Sequence, residues 1–376
     1  VRQTVCIDCR YLGPRPSGIA ETVQALVEFL PQLAPDLDFL FLRSPAHDGP
    51  LSRAANVREV VVPQAANGPA TMWWLPRVVD LNGVNLFHAT FNIMPAGLAM
   101  PCVVTVHDLM WLTDPDLCAS GPVGRLQALF HAHGIRRALH RAAAIATVSE
   151  ASRAAIRIAA PAAADRTFVT LSGVSPEFAP VPADKAVLAA LGLRPERPFV
   201  LTVGQYAPYK NHEGALRAFA LAFAEGPDVD LVLVQRRGRG AGQLTRLAES
   251  LGVAERVHLL APVDRPALVQ LYSLAAALLH PSFSEGFGNP LAEAMACGCP
   301  VVTSNVSAMP EVTGGAALLA PPTDPSAIAA ALRTVVCDPR KAQVLRDSGR
   351  ARARMLSWSA FAAENLAVYR HVLGSP

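Results

Sequence analysis

Between Glu285 and Glu293 the chain reads EGFGNPLAE, two carboxylates eight positions apart with two glycines, an asparagine and a proline between them. Acids so placed could work as a general acid and base, grip a ligand from two sides, or do no more than open a helix. The residues between them bear on the choice. Asn289 suits a helix N-cap and Pro290 a first helical position, while Gly298 suits a stop. The pattern predicts a helix over about 290–297, with Glu293 in its first turns and Glu285 outside it on a loop. Gly286 and Gly288 let the backbone turn tightly and aim N–H groups outward. Beside the positive end of a helix, such donors suit phosphate or another anion. A glycosidase pair holds its carboxyls roughly 5–9.5 Å apart across a sugar. The spacing leaves that open, but a helix start between the acids favours an anionic ligand. Glu293 would also stabilise the helix start by itself, by about 0.3–1 kcal/mol.

Other polar groups fall where apolar runs hand over to helical stretches. Lys185, Lys210 and Lys341 are the only lysines, against thirty arginines (33 basic residues less three). Lys210 lies in GQYAPYKN (204–211), after FVLTV and before a helix, and a point positive charge suits a phosphate. In the first half, TVCIDC leads into RYLGPRPSGIAETV, where Ser17–Gly18 precede a helix and offer a second N-terminus. CVVTV ends in His107–Asp108, two polar groups at the end of a strand. Each has a plainer reading as well: a surface lysine, an ordinary helix start, a structural histidine.

These residues need elements to position them. TVCIDC (4–9), DFLFL (38–42), VREVVV (57–62), NLFHA (85–89), CVVTVH (102–107), AIATV (144–148) and TFVTL (167–171) read as strands. FVLTV (199–203), DLVLV (230–234), RVHLL (256–260), AALLH (276–280), PVVTS (300–304) and AALLA (316–320) form a second series. Ala/Leu-rich helical stretches separate them, and strands apolar throughout argue for parallel sheets covered on both faces. SGVSPEFAPVPAD (172–184), with Pro176, Pro180 and Pro182, reads as a linker. The expected fold class is α/β, two facing Rossmann-like doubly wound domains with an interdomain cleft. Residues 1–180, completed by a C-terminal helix at 358–376, form one domain and residues 181–357 the other. Such sheets bind ligands at the carboxyl ends of their strands.

Composition removes several classes. At 376 residues, 51% apolar and 17% charged, the chain is globular and long enough for about two domains. A net charge of +3 gives no case for nucleic acid. No run of eighteen apolar residues is present, and the first residues lack the pattern of a signal peptide. Seven cysteines, an odd number mostly in apolar runs, fit free thiols in a reducing cytosol. Asp-x-Asp occurs three times (Asp36/Asp38, Asp114/Asp116, Asp228/Asp230), which shows how unspecific it is, and no metal is assigned. No G-x-G-x-x-G follows the first strand, and no cofactor is expected.

Together these residues resemble glycosyltransferase family 4, retaining enzymes of the GT-B fold. The pattern is most similar to bacterial mannosyltransferases of surface polysaccharide synthesis. HPSFSEGFGNPLAEAMACGCPVVTSNVSAMPEVTGGAALLAPPTD (280–324) carries the strongest match. GQYAPYKN, TVHDL (105–109), ATVSEASR (146–153), the glycine loop near Gly18 and the helix after Trp358 support it. The resemblance implies that the first domain serves the acceptor and the second the donor. Glu285 would bond hydroxyls of the donor sugar, Glu293 would hold the ribose, and the amides around Gly286, Phe287, Gly288 and Asn289 would meet sugar and diphosphate. Lys210 would neutralise the leaving diphosphate and His107 would lie over the sugar, these two joining Glu285 as the catalytic set. Gly18, Gly204, Gln205 and Asn211 would complete the donor site, with the backbone at Val263 meeting the base. Relatives often have an arginine where this chain has Gln205, so Arg236, Arg237 or Arg239 of RRGRG is expected to compensate.

The implied reaction is metal-independent transfer of a sugar from a nucleotide diphosphate-sugar to a hydroxyl of a saccharide or lipid-linked saccharide, with retention. Mannose from GDP-mannose is the first choice. The alternatives are another donor such as UDP-glucose, a nucleotide-sugar epimerase, or a non-catalytic nucleotide-sugar-binding protein. The stretch 124–144 sets Arg125, Arg136, Arg137 and Arg141 among apolar residues, a pattern for an anionic membrane or for packing on a sheet. MWWLP (72–76) suits a core or an acceptor cleft. The expected location is the cytoplasm, with peripheral contact at the inner face of the cell membrane.

Overall fold

The computed structural model describes residues 2–13, 17–118, 121–225, 228–235 and 240–374. Its strands in chain order are β1 (Thr4–Asp8), β2 (Asp38–Arg43), β3 (Val57–Val61), β4 (Leu86–Ala89), β5 (Cys102–Val106), β6 (Ala144–Thr147), β7 (Thr167–Val169), β8 (Phe199–Val203), β9 (Asp230–Val234), β10 (Val257–Leu260), β11 (Ala277–His280), β12 (Val301–Ser304) and β13 (Ala317–Ala320). The helices are α1 (Gly18–Leu33), α2 (Pro69–Val78), α3 (Met110–Thr113), α4 (Pro115–Cys118), α5 (Gly121–Arg141), α6 (Glu150–Ala159), α7 (Lys185–Ala190), α8 (His212–Ala222), α9 (Ala241–Ser250), α10 (Arg265–Leu274), α11 (Asn289–Ala296), α12 (Met309–Thr313), α13 (Pro325–Cys337), α14 (Pro339–Ala353) and α15 (Trp358–Leu373). The chain divides into two compact units. One takes Val1–Pro115, Ser120–Gly173 and Ser357–Pro376, the other Asp116–Ala119 and Val174–Leu356.

The first unit is built on a seven-stranded parallel sheet in the order β3-β2-β1-β4-β5-β6-β7. Alternate side chains of β1 enter different cores, as strand geometry requires. Val5 and Ile7 pack with Val23, Leu26 and Leu30 of α1 and Phe361 and Tyr369 of α15. Cys6 packs on the other face with Phe87, Val104, Ile135 and Leu139. The last helix is thus part of this unit's core. Its Tyr369 hydroxyl lies 2.6 Å from Nδ1 of His88, whose burial lowers its pKa to about 3, so the ring is neutral. At the end of β1, Arg10 grips Asp8 through Nε (2.8 Å) and Nη2 (2.6 Å), and its Nη1 donates to the Gln64 carbonyl at 2.8 Å. The two side chains are 1% and 7% exposed.

The stretch 124–144 is helical as far as Arg141, within α5, which begins a few residues earlier, and the strand read at AIATV starts at Ala144. The alanines after Arg141 have helical composition, but the Ala143 amide donates to the Cys102 carbonyl at 2.8 Å and β6 begins at Ala144. The sheet claims backbone that composition alone would leave in the helix.

The second unit has a six-stranded parallel sheet, β10-β9-β8-β11-β12-β13. DLVLV (β9) is buried along its whole length between helices. At its first residue, Asp230 receives Arg194, Arg197 and His258, which assigns this Asp-x-Asp aspartate to an ion-pair network at the amino end of the sheet. The chain passes between units beside Gly173 and again beside Leu356, whose carbonyl accepts from the Val174 amide at 3.1 Å. A β-carbon on Gly173 would run into the backbone nitrogen of Trp358. Because backbone cannot yield as a flexible side chain would, Gly173→Ala is expected to destabilise the fold by about 1–3 kcal/mol in urea titration. An unchanged midpoint would show that the approach is looser than described.

Candidate active site

In the second sheet the strand order reverses between β8 and β11, and ligands of doubly wound sheets bind at the carboxyl edge of such a reversal. Both loops leaving this point carry the residues singled out from the sequence. After β8 the chain turns at Gly204 (φ 151°), where a β-carbon would lie 3.4 Å from Cε of Lys210. Pro208–Lys210 make one 3-10 turn, and Asn211 follows in the left-handed region (φ 53°). The Asn211 amide is fully committed. Oδ1 caps α8 at the Gly214 amide (3.1 Å), while Nδ2 donates to the carbonyls of Pro281 (3.0 Å) and Pro322 (2.8 Å). It braces three loops against one another and so fixes Lys210 beside β11.

From β11 come His280 and, five residues on, Glu285. One carboxylate oxygen, Oε1, accepts from Lys210 Nζ (2.7 Å), His280 Nε2 (2.8 Å) and Ser282 Oγ (2.8 Å). Oε2 has no hydrogen-bond partner among the described residues. Burial opposes the charge on Glu285, but Lys210 and the His280 hydrogen bond outweigh it and hold the carboxyl well below the usual range. Burial works against the charge on Lys210 too, yet Glu285 raises its pKa, with smaller help from Tyr209 and Glu293. Burial lowers the pKa of His280, so the imidazole is neutral and donates through Nε2. The backbone of Glu285 is pinned by Ser307, whose Oγ accepts from the Glu285 amide (3.1 Å) and donates to its carbonyl (2.7 Å). Ser307 has φ 56°. It and Asn211 are the two non-glycine residues with positive φ among those described, so backbone strain collects at this one place.

The helix after Glu285 starts one residue earlier than expected. Gly288 (φ 95°), not Asn289, is the N-cap of α11, because the chain enters the helix through a left-handed turn that glycine adopts freely. Gly286, Phe287, Gly288 and Asn289 therefore line the approach to a helix N-terminus, as an anion site needs. Gly298 (φ 75°) ends it. Glu293, in the second turn, accepts at Oε2 from the Tyr272 hydroxyl of α10 (2.8 Å). Burial, then the nearby Glu293, push the Tyr272 phenol well above its ordinary pKa and keep it a donor.

Gln205 is exposed and donates to the Tyr209 hydroxyl at 3.2 Å. Arg236, Arg237 and Arg239 lie outside the described residues. Val263 lines a groove of about 960 Å³ with Leu260, Pro262, Val187 and Leu191, whose walls do not include Lys210, Glu285 or Glu293. In the other unit, Gly18 is the first residue of α1 behind a Ser17 cap. His107 follows β5, and its Nε2 donates to the Thr90 carbonyl at 3.0 Å. Burial lowers its pKa to about 4, so the ring is neutral with Nδ1 as acceptor.

Sequence reasoning missed His280, Ser282, Ser307 and Tyr272. It also missed buried polar atoms at the carboxyl edge of this sheet that have no partner among the described residues, including His212 Nδ1 at the start of α8, Gln235 Oε1 just after β9 and Ser304 Oγ at the end of β12. His280 and Ser282 stand in the quoted HPSFSEGFG stretch and could have been found by their closeness to Glu285. Nothing local announces the others.

The family model of the glycosyl transferases group 1 matches residues 185–352, the part of the chain that holds this site. Over 287 residues the chain is 32% identical to O-antigen chain mannosyltransferase B of Escherichia coli, covering 76% of this chain and 74% of that one. Among solved structures it is similar to sucrose-phosphate synthase from Thermosynechococcus elongatus (TM-score 0.74, 22% identity, 99% of this chain and 100% of that one). It is also similar to HepE of Anabaena, solved in complex with UDP and glucose (TM-score 0.69, 17% identity, 98% of this chain and 100% of that one). With two parallel α/β sheets of the GT-B kind and a relative this close over three quarters of its length, the chain belongs to the group 1 glycosyl transferases.

Proposed function

We propose that the protein moves a sugar, mannose from GDP-mannose first among the candidates, from a nucleotide diphosphate-sugar to a hydroxyl of a saccharide or lipid-linked saccharide. The second unit binds the donor and the first serves the acceptor, working in the cytoplasm at the inner face of the cell membrane. The observation that carries this reading is the Lys210–Glu285 pair at the strand reversal, beside the start of α11. The free Oε2 of Glu285 can accept from sugar hydroxyls. Lys210 and the amides of residues 286–289 can take the charge that develops on a departing diphosphate, so catalysis is chiefly preorganised electrostatics. Glu293, oriented by Tyr272, takes the ribose and Val263 the base, and His107 is the first unit's candidate for the sugar. Asn211 acts by bracing Lys210.

Retention without a protein nucleophile is part of the proposal. A carboxylate held anionic by three donors is a weak base and a weak nucleophile, which suits Glu285 to orientation. The leaving phosphate would help to take the acceptor's proton. No metal is required on this reading, and activity lost in EDTA and restored by manganese would oppose it. An arginine of residues 236, 237 or 239 supplies the second cation that Gln205 lacks.

The mannosyltransferase relative supports mannose, while the UDP and glucose held by the similar Anabaena structure favour UDP-glucose as the competing donor. Thermal unfolding with GDP, UDP, ADP and dTDP and their sugars decides between them. At 100 times its Kd the correct ligand adds about 2.7 kcal/mol of stability. No shift with any nucleotide would sink the proposal, and turnover of donor without acceptor would turn it toward an epimerase.

A further inference from the structure

We propose that the outward faces of α2 and α5 dock the protein on an anionic lipid membrane. The two helices are neighbours in the first unit. The Trp73 ring meets Phe130 edge-on with centroids 5.8 Å apart and lies 6.4 Å from the ring of His133. Their inward sides are already occupied, α2 through Met72 and Leu75, α5 through Ala128, Ala132, Ile135 and Leu139. Outside remain Trp73, Trp74, Val78, Val123, Leu126 and Leu129, exposed by 41%, 49%, 53%, 72%, 69% and 67%. Single exposed leucines are ordinary, but a group gathered on adjacent helices marks an interaction surface.

The charge on these helices selects the occupant. Residues 126, 129, 133, 136 and 140 follow at three- and four-residue steps and share one outward line of α5. That line passes from Leu126 and Leu129 to His133, Arg136 and His140. Arg77, Arg125 and Arg141 are also exposed, and neither helix contains an acidic residue. A second copy laid across a two-fold axis would set these arginine-bearing helices against themselves. An anionic bilayer meets it with opposite charge, accepts the apolar side chains at shallow depth and places tryptophan at headgroup level. Among the described residues no helix is long and apolar enough to cross a membrane, so the contact is with the surface.

This deepens the reading of a lipid-linked acceptor, and its test uses neither donor nor acceptor, so the failure of one is visible apart from the other. The full chain is floated with vesicles of phosphatidylcholine alone or mixed with phosphatidylglycerol, at low and high salt. It should rise with the mixed vesicles at low salt. Binding should fall by about tenfold or more in high salt and in an Arg125→Glu, Arg136→Glu double variant. A Trp74→Ser, Leu126→Ser, Leu129→Ser variant should lose binding by about the same factor at either salt. Its unfolding midpoint and nucleotide affinity should stay those of the parent, since these side chains are already exposed. No flotation with mixed vesicles, or flotation that neither variant weakens, overturns the proposal. So does a concentration-dependent dimer in light scattering that the same variants abolish, which would give the face to a second copy.

Discussion

Lys210→Ala is expected to lower kcat by about 10²–10³-fold, the usual cost of removing one preorganised group that meets developing charge. The loss should fall on kcat more than on donor KM, because charge on the diphosphate grows as the bond breaks. Glu285→Gln should lower kcat substantially as well, by removing the anion that fixes Lys210. The two losses should not add, since each residue holds the other at 2.7 Å. A pH signature accompanies them. The folded-state pKa of Glu285 is depressed, so its contribution to stability is present above the unfolded carboxylate pKa and is lost as pH falls through the folded one. Lys210 is the largest lowering influence; without it the folded pKa rises, and both the stabilising window and the acid limb of activity should retreat toward higher pH. Wild-type kcat in Lys210→Ala would refute the assigned role, and a covalent sugar adduct on Glu285, seen by mass spectrometry, would refute the retaining scheme without a nucleophile.

The second large effect concerns stability. Asp8→Ala should cost about 3–5 kcal/mol, the range for removing one partner of a buried ion pair. Arg10 is 1% exposed at its side chain and would keep only the Gln64 carbonyl as a partner. Replacing both residues, as Asp8→Leu with Arg10→Met, should recover much of the loss, because the penalty comes from an uncompensated charge and not from the absence of the pair. Urea titration of the single and double variants checks both statements. A single variant as stable as the parent would mean that water reaches Arg10 after all.

The strands were legible because both sheets are parallel, and runs such as DLVLV and CVVTV are buried at every position and apolar at all but one. The pairing of Lys210 with Glu285 was only partly legible. Each was marked by residue type and by its place after a strand, but that the two loops adjoin follows from β8 and β11 being neighbours, a matter of sheet order. Ser307 was invisible because its left-handed backbone is where glycine is the default, and only the clamp on Glu285 explains it. Asn289 misled for a related reason: it has cap chemistry, but Gly288 had already made the turn.

The contact between Lys210 and Glu285 also governs what an empty site ignores. With its cation already matched to a carboxylate, the site presents a weak field to passing ions. Inorganic phosphate or sulfate could take Lys210 only by leaving Glu285 without its strongest partner. A ligand that carries hydroxyls and a diphosphate on one framework can engage Glu285 Oε2 and Lys210 together without separating them. On the proposed reading the pair is therefore a filter against half-ligands in a cell full of small anions.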